Sequence, residues 1–299
     1  MSGPFSCPGT LDLVYGMSHP HLSVPGRVRV LTLNLWGLHG DWDERRAVLV
    51  EGIRGLGPDL VAFQEAITDD GYDQAADVLG PGYHVVHQSV GLVGDGNHGG
   101  SIASRWPLGE VREADLHLTP RTADYPCGTL VAEVLAPEPI GPLLFVAHGP
   151  SHQPSYEFER ELQSVAAARL IEEMVDRLGM RHVVMAGDFN ADPDASSVAY
   201  WRGERSLEGT SVCYRDAWRS IHRDDPGHTF TPRNPHVAEN KPALDVGLRI
   251  DYLLVRCDDS LWGPTLDVAA CELAFDEPSG GVGASDHFGV VADLAVPAR

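Results

Sequence analysis

At 299 residues, with 43% hydrophobic and 22% charged side chains, the chain has a soluble globular composition and enough length to bury a sizeable core. Its formal net charge of −21 repels polyanions and so disfavours nucleic acid, whose affinity rests on Lys and Arg neutralising phosphates. No apolar run is long enough to span a bilayer, which excludes a transmembrane segment.

Met1 to Gly26 lacks a basic start followed by an apolar block, so it does not read as a signal peptide. Its Gly, Pro, Ser and His content predicts an irregular extension (residues 1–26) ahead of a single domain over 27–299. Cys7, Cys127, Cys213, Cys257 and Cys271 form no CxxC pair, and their spacing matches neither a disulfide framework nor a zinc site. These features point to a reducing, cytoplasmic setting, with a monomer as the default.

Arg27 to Trp36 predicts a strand ended by Gly37, with Asn34 closing a mostly apolar face. Asp41 to Leu56 reads as a helix: Asp41 caps it, Glu44 follows three residues later, and Gly57-Pro58 stops it. Asp59 to Glu65 is a buried-type strand that runs into a carboxylate. A short helix over Asp70 to Leu79 and a strand over Tyr83 to Gln88 come next. The Gly-rich stretch Gly91 to Gly100 has no Gly-Lys-Ser/Thr ending, so it reads as a turn near a site edge. Further strands are expected at Ser101–Arg105, Thr129–Leu135 and Leu143–His148.

Ser155 to Gly179 is the strongest helical stretch, with Ser155 as cap, Glu157 and Glu159 in the first turn, and Phe158, Leu162, Ala166, Leu170, Met174 and Leu178 at four-residue spacing. Val183-Val184-Met185-Ala186 then predicts a buried strand that turns at Gly187 into Asp188-Phe189-Asn190. A carboxylate and a carboxamide two positions apart can bind a hard cation, take a proton from water, or donate to a phosphate oxygen. Residues 191 to 247 read as loop-rich, and strands at Leu248–Val255 and Phe288–Val296 close the chain. Many short strands with few long helices point to one layered α/β domain with two packed sheets.

Strand ends and adjacent loops thus deliver Asn34, Glu65, His148, Asp188, Asn190, Asp251, Asp286 and His287. Each alone has an ordinary structural explanation. Convergence of several carboxylates, however, calls for a cation to offset their repulsion. In Thr32-Leu33-Asn34-Leu35-Trp36, Gln64-Glu65, Gly100 to Arg105, Gly187-Asp188-Phe189-Asn190, Arg249-Ile250-Asp251-Tyr252 and Ser285-Asp286-His287, the sequence resembles the endonuclease/exonuclease/phosphatase superfamily. The motifs occur in that family's order across residues 27 to 296.

The resemblance implies a DNase I-like α/β four-layer sandwich, two packed mixed β-sheets flanked by helices. It also implies phosphoester hydrolysis assisted by Mg²⁺, with Mn²⁺ as a substitute. By the same resemblance Asn34, Glu65 and Asp286 would hold the metal and Asp188 would orient or deprotonate water. Asn190 and His148 would contact phosphoryl oxygens, and Asp251 would hold His287. Where many relatives have Thr-His-Leu, this chain has Ala147-His148-Gly149 with His152 close behind, so two histidines compete for one role. The stretch from Thr229-Phe230-Thr231-Pro232 to Tyr252 looks like neutral sphingomyelinase-like members. With the acidic balance, this points to a small-molecule or lipid phosphoester as the substrate. A non-specific nuclease and a non-catalytic binding scaffold are the alternatives.

Overall fold

The structure is a computed structural model that describes residues 26–69, 71–94 and 97–297. The extension expected ahead of Gly26, together with Cys7 and Asp70, lies outside the described residues. Strand β1 (Arg27–Asn34) leads through the Asp41 cap, whose side chain accepts from the Glu44 N–H, into helix α1 (Trp42–Leu56). Gly57 ends α1 at φ 57°, the left-handed conformation that glycine adopts without a Cβ penalty. There follow β2 (Leu60–Asp69), β3 (Tyr72–Asp73), α2 (Gln74–Leu79), β4 (His84–His87) and β5 (His98–Ser104).

Next come β6 (Leu108–Asp115), β7 (Gly128–Val134), β8 (Leu143–Gly149), helix α3 (Glu157–Leu178) and β9 (His182–Asp188). The stretch expected to be loop-rich contains α4 (Ser196–Trp201), β10 (Tyr214–Asp216), α5 (Ala217–Ile221) and α6 (Pro235–Asn240). These are too short for periodicity to reveal, and side-chain caps from Asp216 and Asn234 start two of them. Strands β11 (Asp251–Asp258), β12 (Gly263–Pro264), β13 (Asp267–Ala274) and β14 (Gly289–Ala295) complete the chain.

The strands form two sheets, in the order β13-β14-β1-β2-β5-β4 and β10-β11-β9-β8-β7-β6, with β3 paired to β2 and β12 to β11. Alternation along the strands builds three apolar layers. Val28, Val30, Ala62 and Val290 of the first sheet meet Phe145, Val184, Ala186 and Leu253 of the second between the sheets. On the outer face of the first sheet, Leu31, Leu33 and Phe63 pack beneath Leu49 and Ile53 of α1 and Val78 of α2. On the outer face of the second, Val146, Met185 and Leu254 pack beneath Val165, Ile171 and Met174 of α3 and Tyr200 and Trp201 of α4. This is the expected four-layer α/β sandwich.

Four local expectations need correction. The helix expected over Asp70 to Leu79 starts only at Gln74, because Tyr72 and Asp73 pair with β2 as β3. Helix α3 begins at Glu157 after Tyr156, which makes no side-chain cap bond, so Ser155 is not its cap; Glu157 Oε1 accepts from the Ser197 N–H in the first turn of α4 at 2.8 Å. Phe158, assigned to the core stripe, is 61% exposed. In the first turn of α3 it is Arg160 that turns inward, to the Ser151 and Gln153 carbonyls. The strand placed at Leu248–Val255 starts only at Asp251, because Leu248 is bridged to Phe230 instead.

Candidate active site

Topology gathers the polar residues at one end of the sandwich. Strands β1 and β2 run parallel, so Asn34 and Glu65 leave their sheet on the same side; antiparallel β14 starts there, just after His287. In the other sheet β8 and β9 are parallel, and β11 runs back against β9 with Asp251 opposite Asp188. Strand β5 begins at the same end with His98, inside the stretch read as a turn.

Local backbone features aim these side chains. A bulge in β2 between Phe63 and Ala66 coincides with Glu65 at φ 54°, re-aiming its carboxylate out of the strand alternation. A Cβ at Gly187 would lie 2.0 Å from the His148 carbonyl oxygen, so only glycine lets β9 pass β8 just before Asp188. Asn190 stands at φ 52°; its N–H donates to Asp188 Oδ1 at 3.0 Å and its Nδ2 to the Pro150 carbonyl at 3.2 Å.

The two sheets are joined by hydrogen bonds across this end. Asn34 Nδ2 donates to Glu65 Oε1 at 3.1 Å and to Asp188 Oδ2 at 3.2 Å, while Asn34 Oδ1 accepts from the Trp36 N–H at 2.9 Å. The amide thus presents its N–H groups to the carboxylates and turns its oxygen to the backbone. Ser285 Oγ donates to the Asn34 carbonyl at 2.7 Å, which anchors the Ser285-Asp286-His287 turn. His287 Nδ1 lies 2.9 Å from Asp251 Oδ2, and its Nε2 is 3.9 Å from Asp188 Oδ2. Thr229 Oγ1 accepts from the N–H groups of Ile250 and Asp251, fixing the start of β11, and the Phe230 ring lies 4.9 Å from the His287 ring.

The charge balance is uneven. Burial lifts the Asp188 carboxyl well above the usual range, and Asp251 adds to the effect against the pull of His287. Burial alone would lower the His287 imidazole, but Asp251 and Asp188 raise it well above its ordinary value. Burial also lifts Asp286, with Glu65 adding to it while His287 and Arg45 oppose. Glu65 is the exception: burial opposes its ionisation, yet contacts from His98, Asn34 and Tyr125 bring it down to about 2.

Tyr125 is a residue that motif reading missed. Its hydroxyl donates to Glu65 Oε1 at 2.8 Å, its ring lies 4.2 Å from His152, and it meets His98 edge-on at 5.9 Å. It sits in the loop between β6 and β7, where no periodicity or motif singles it out.

The two competing histidines part company here. His148 is fully buried on the outer face of its sheet, against Phe189 and Trp201, with Nδ1 2.8 Å from Thr129 Oγ1. Its Nε2 is buried with no hydrogen-bond partner among the described residues, and burial alone pushes its imidazole down to about 3. His152 is half-buried above Tyr125, where burial lowers it and Glu65 acts to raise it. The structure therefore brings Asn34, Glu65, Asp188, Asn190, Asp251, Asp286 and His287 together, with His152 beside them, and seats the His148 ring behind the sheet.

A cleft of about 50 Å³ opens among Asn34, Glu65, His98, Tyr125, Asp188 and Asn190, and among the described residues no Lys or Arg lines it. That volume admits a phosphoryl group or water rather than a whole substrate, since sites that engulf drug-sized ligands span roughly 300–1,000 Å³. Oxygen donors suit a hard divalent cation. Two oxygen-rich sets are available. Asp188, Asp251 and His287 offer ligand atoms within 4.8 Å of one another, but His287 already spans both carboxylates. Glu65 and Asp286 repel each other, with His287 offsetting part of that repulsion from a distance, and a cation between them would suit their oxygen donors.

Solved structures resemble this one, three of them as follows. D. rerio TDP2 complexed with single strand DNA product has TM-score 0.67 and 19% identity, covering 90% of this chain and 99% of that one. The human Nocturnin catalytic domain with bound sulfate anion has TM-score 0.68 and 17% identity, covering 92% and 97%. An endonuclease/exonuclease/phosphatase from Beutenbergia cavernae has TM-score 0.62 and 23% identity, covering 90% and 72%. At these identities the likeness speaks for the fold. No curated protein matches the sequence. The sequence itself matches the Endonuclease/Exonuclease/phosphatase family across residues 31–287, the span that carries every residue of the cleft. The chain therefore belongs to the endonuclease/exonuclease/phosphatase family and is a metal-dependent hydrolase of phosphoester bonds.

Proposed function

We propose that the protein hydrolyses a small-molecule or lipid phosphoester with Mg²⁺, or Mn²⁺ in its place, held by Glu65 and Asp286. The observation that carries this reading is a small cleft lined by carboxylate, amide, imidazole and phenol groups, with no Lys or Arg among the described residues that line it. A polyanionic strand would meet no neutralising Lys or Arg among the described residues that line the cleft; Lys241 and Arg160 stand beside His152, and Arg45 beside Asp286. A bound divalent cation would supply positive charge against the phosphoryl oxygens as negative charge develops on them.

The chain's own residues divide the remaining work. Asp188, with a carboxyl raised by burial, accepts the proton of the attacking water. Asn34 holds Glu65 and Asp188 in register through its Nδ2 instead of serving as an oxygen ligand. His287, kept protonated by Asp251, donates from Nε2 to a phosphoryl oxygen. Asn190 stands beside the reacting phosphate, and His152 contacts its outer oxygens in the role that the sequence pattern offered to His148.

A second reading, hydrolysis of nucleic acid, draws on the structural likeness to a TDP2 seen with single strand DNA product. One experiment separates the two. Purified protein with Mg²⁺ is assayed on bis-p-nitrophenyl phosphate, sphingomyelin, nucleotides, plasmid DNA and RNA, with and without EDTA. Metal-dependent turnover of the small or lipid esters is expected, with slow nicking of nucleic acid. Rapid nicking at physiological salt would replace the first reading with the second. Silence on every substrate would leave a binding scaffold.

A further inference from the structure

We propose that Cys213 and Cys257 form a dithiol site for small disulfides of the glutathione type, closing to a cross-strand disulfide. The pair lies outside the cleft and does not depend on the function assigned to it. Strand β11 runs from Asp251 at the cleft to Asp258, which puts the thiols roughly 20 Å away at the strand rise of about 3.3 Å per residue.

Register brings the two cysteines together. Tyr214 of β10 pairs with Arg256 of β11, and the ladder extends by one step through the Cys257 N–H donating to the Cys213 carbonyl at 2.8 Å. Residues opposed in this way have Cα atoms about 5.5 Å apart and side chains on one face. That separation falls within the roughly 4.4–6.8 Å that disulfides span. The sequence spacing of 44 residues hid this, because only the antiparallel return of β11 along β10 makes them neighbours.

The surroundings suit exchange with a soluble disulfide. Both thiols are free and line a cavity of about 290 Å³ with Arg215, Asp258, Asp259 and Trp262, whose indole is 94% exposed. Arg215 offers a partner for a carboxylate, the two aspartates one for an ammonium, and the indole a flat apolar wall. Glutathione carries groups of all three kinds. Cys127 and Cys271, in contrast, are shut inside the core. Cys213 is exposed and Cys257 half-buried, which assigns Cys213 as the attacking thiol. Burial and the neighbouring Cys213 push the Cys257 thiol up to about 11, which suits a resolving partner that acts second.

The steps balance. Cys213 thiolate attacks one sulfur of glutathione disulfide; its S–S bond breaks and one glutathione thiolate leaves, taking up a proton from solvent. Cys257, losing its proton to solvent, then attacks Cys213 Sγ and expels the second glutathione. One protein disulfide forms as one glutathione disulfide is reduced to two glutathiones.

The test uses the full-length reduced protein with glutathione disulfide, read by intact mass and by peptide mapping without reduction. Wild type is expected to lose two hydrogens and yield a peptide joining Cys213 to Cys257. Cys257→Ser should stop at a glutathione adduct on Cys213, and Cys213→Ser should yield neither product. The proposal is overturned if Cys213 instead joins Cys7, if the adduct builds up on wild type without closing, or if Cys213→Ser reacts like wild type.

Discussion

His287 and His148 stand at the same end of the sandwich and are both buried, yet they are driven in opposite directions. Behind the second sheet, His148 meets Thr129 and the rings of Phe189 and Trp201, and burial takes its imidazole down to about 3. Between the sheets, His287 meets Asp251 and Asp188, which overcome the same penalty and hold it protonated. Burial by itself makes a histidine inert and neutral; a carboxylate within hydrogen-bond reach makes a buried histidine a cation. The difference separates a packing residue from one suited to phosphoryl transfer.

The largest expected effect comes from removing the carboxylate that faces His287. Asp188→Ala should lower kcat by on the order of 10²–10⁴-fold, the usual scale for a positioned general base, with the circular dichroism spectrum unchanged. A loss below tenfold, measured on a generic phosphodiester, would take Asp188 out of the chemical step.

Asp251→Asn tests what makes His287 a cation. A loss of on the order of 10²–10³-fold in kcat is expected, the scale of losing one preorganised donor. The alkaline limb of kcat against pH reports loss of the imidazolium proton, so it should move to lower pH once the carboxylate charge is gone. His287→Gln should abolish that limb. An unshifted profile in Asp251→Asn would break the pairing.

Tyr125→Phe removes one donor from Glu65 without adding bulk. Weaker Mg²⁺ binding by calorimetry is expected, together with a higher metal concentration for half-maximal activity and a near-normal kcat at saturating metal. Unchanged metal affinity would show that Tyr125 is only a wall of the cleft.

The smallest effect on turnover belongs to His148. His152→Ala should cost more activity than His148→Gln, which should leave kcat within a few-fold and act on stability instead. The His148 imidazole is depressed in the folded state, so its contribution is present above the unfolded value of about 6.5 and is lost as pH falls toward about 3. Across that window one extra proton on the unfolded chain lowers stability by up to about 1.4 kcal/mol per pH unit. Urea titrations of wild type and His148→Gln at several pH values should show a shallower acid slope in the variant. A large kcat loss in His148→Gln with wild-type stability would reverse the roles of the two histidines.

Much of the fold was legible because long elements carry period. Helix α1 announced its cap at Asp41 and its stop at Gly57, and the buried run before Gly187 announced β9. Elements of two to six residues, such as β10, α4 and α6, hold too few positions for a pattern to emerge. The edge strands β6 and β13 escaped for another reason. They are only half-buried or alternate with exposed positions, so their apolar signal is diluted.

At the site, the amino-acid sequence by itself determined the chemical inventory: carboxylates, amides and histidines punctuating apolar strands, in an order that matches one hydrolase family. Tertiary structure decided which of them meet. A strand end fixes where a side chain leaves the sheet, but a bulge at Glu65, a glycine crossing at Gly187 and the antiparallel return of β11 fix where it arrives. Hence His287 could be named from a motif, Tyr125 could not, and His148 and His152 could not be told apart. The physical reason is range: motifs record neighbours along the chain, whereas charge, burial and hydrogen bonding act over a few ångströms between residues that only folding brings together.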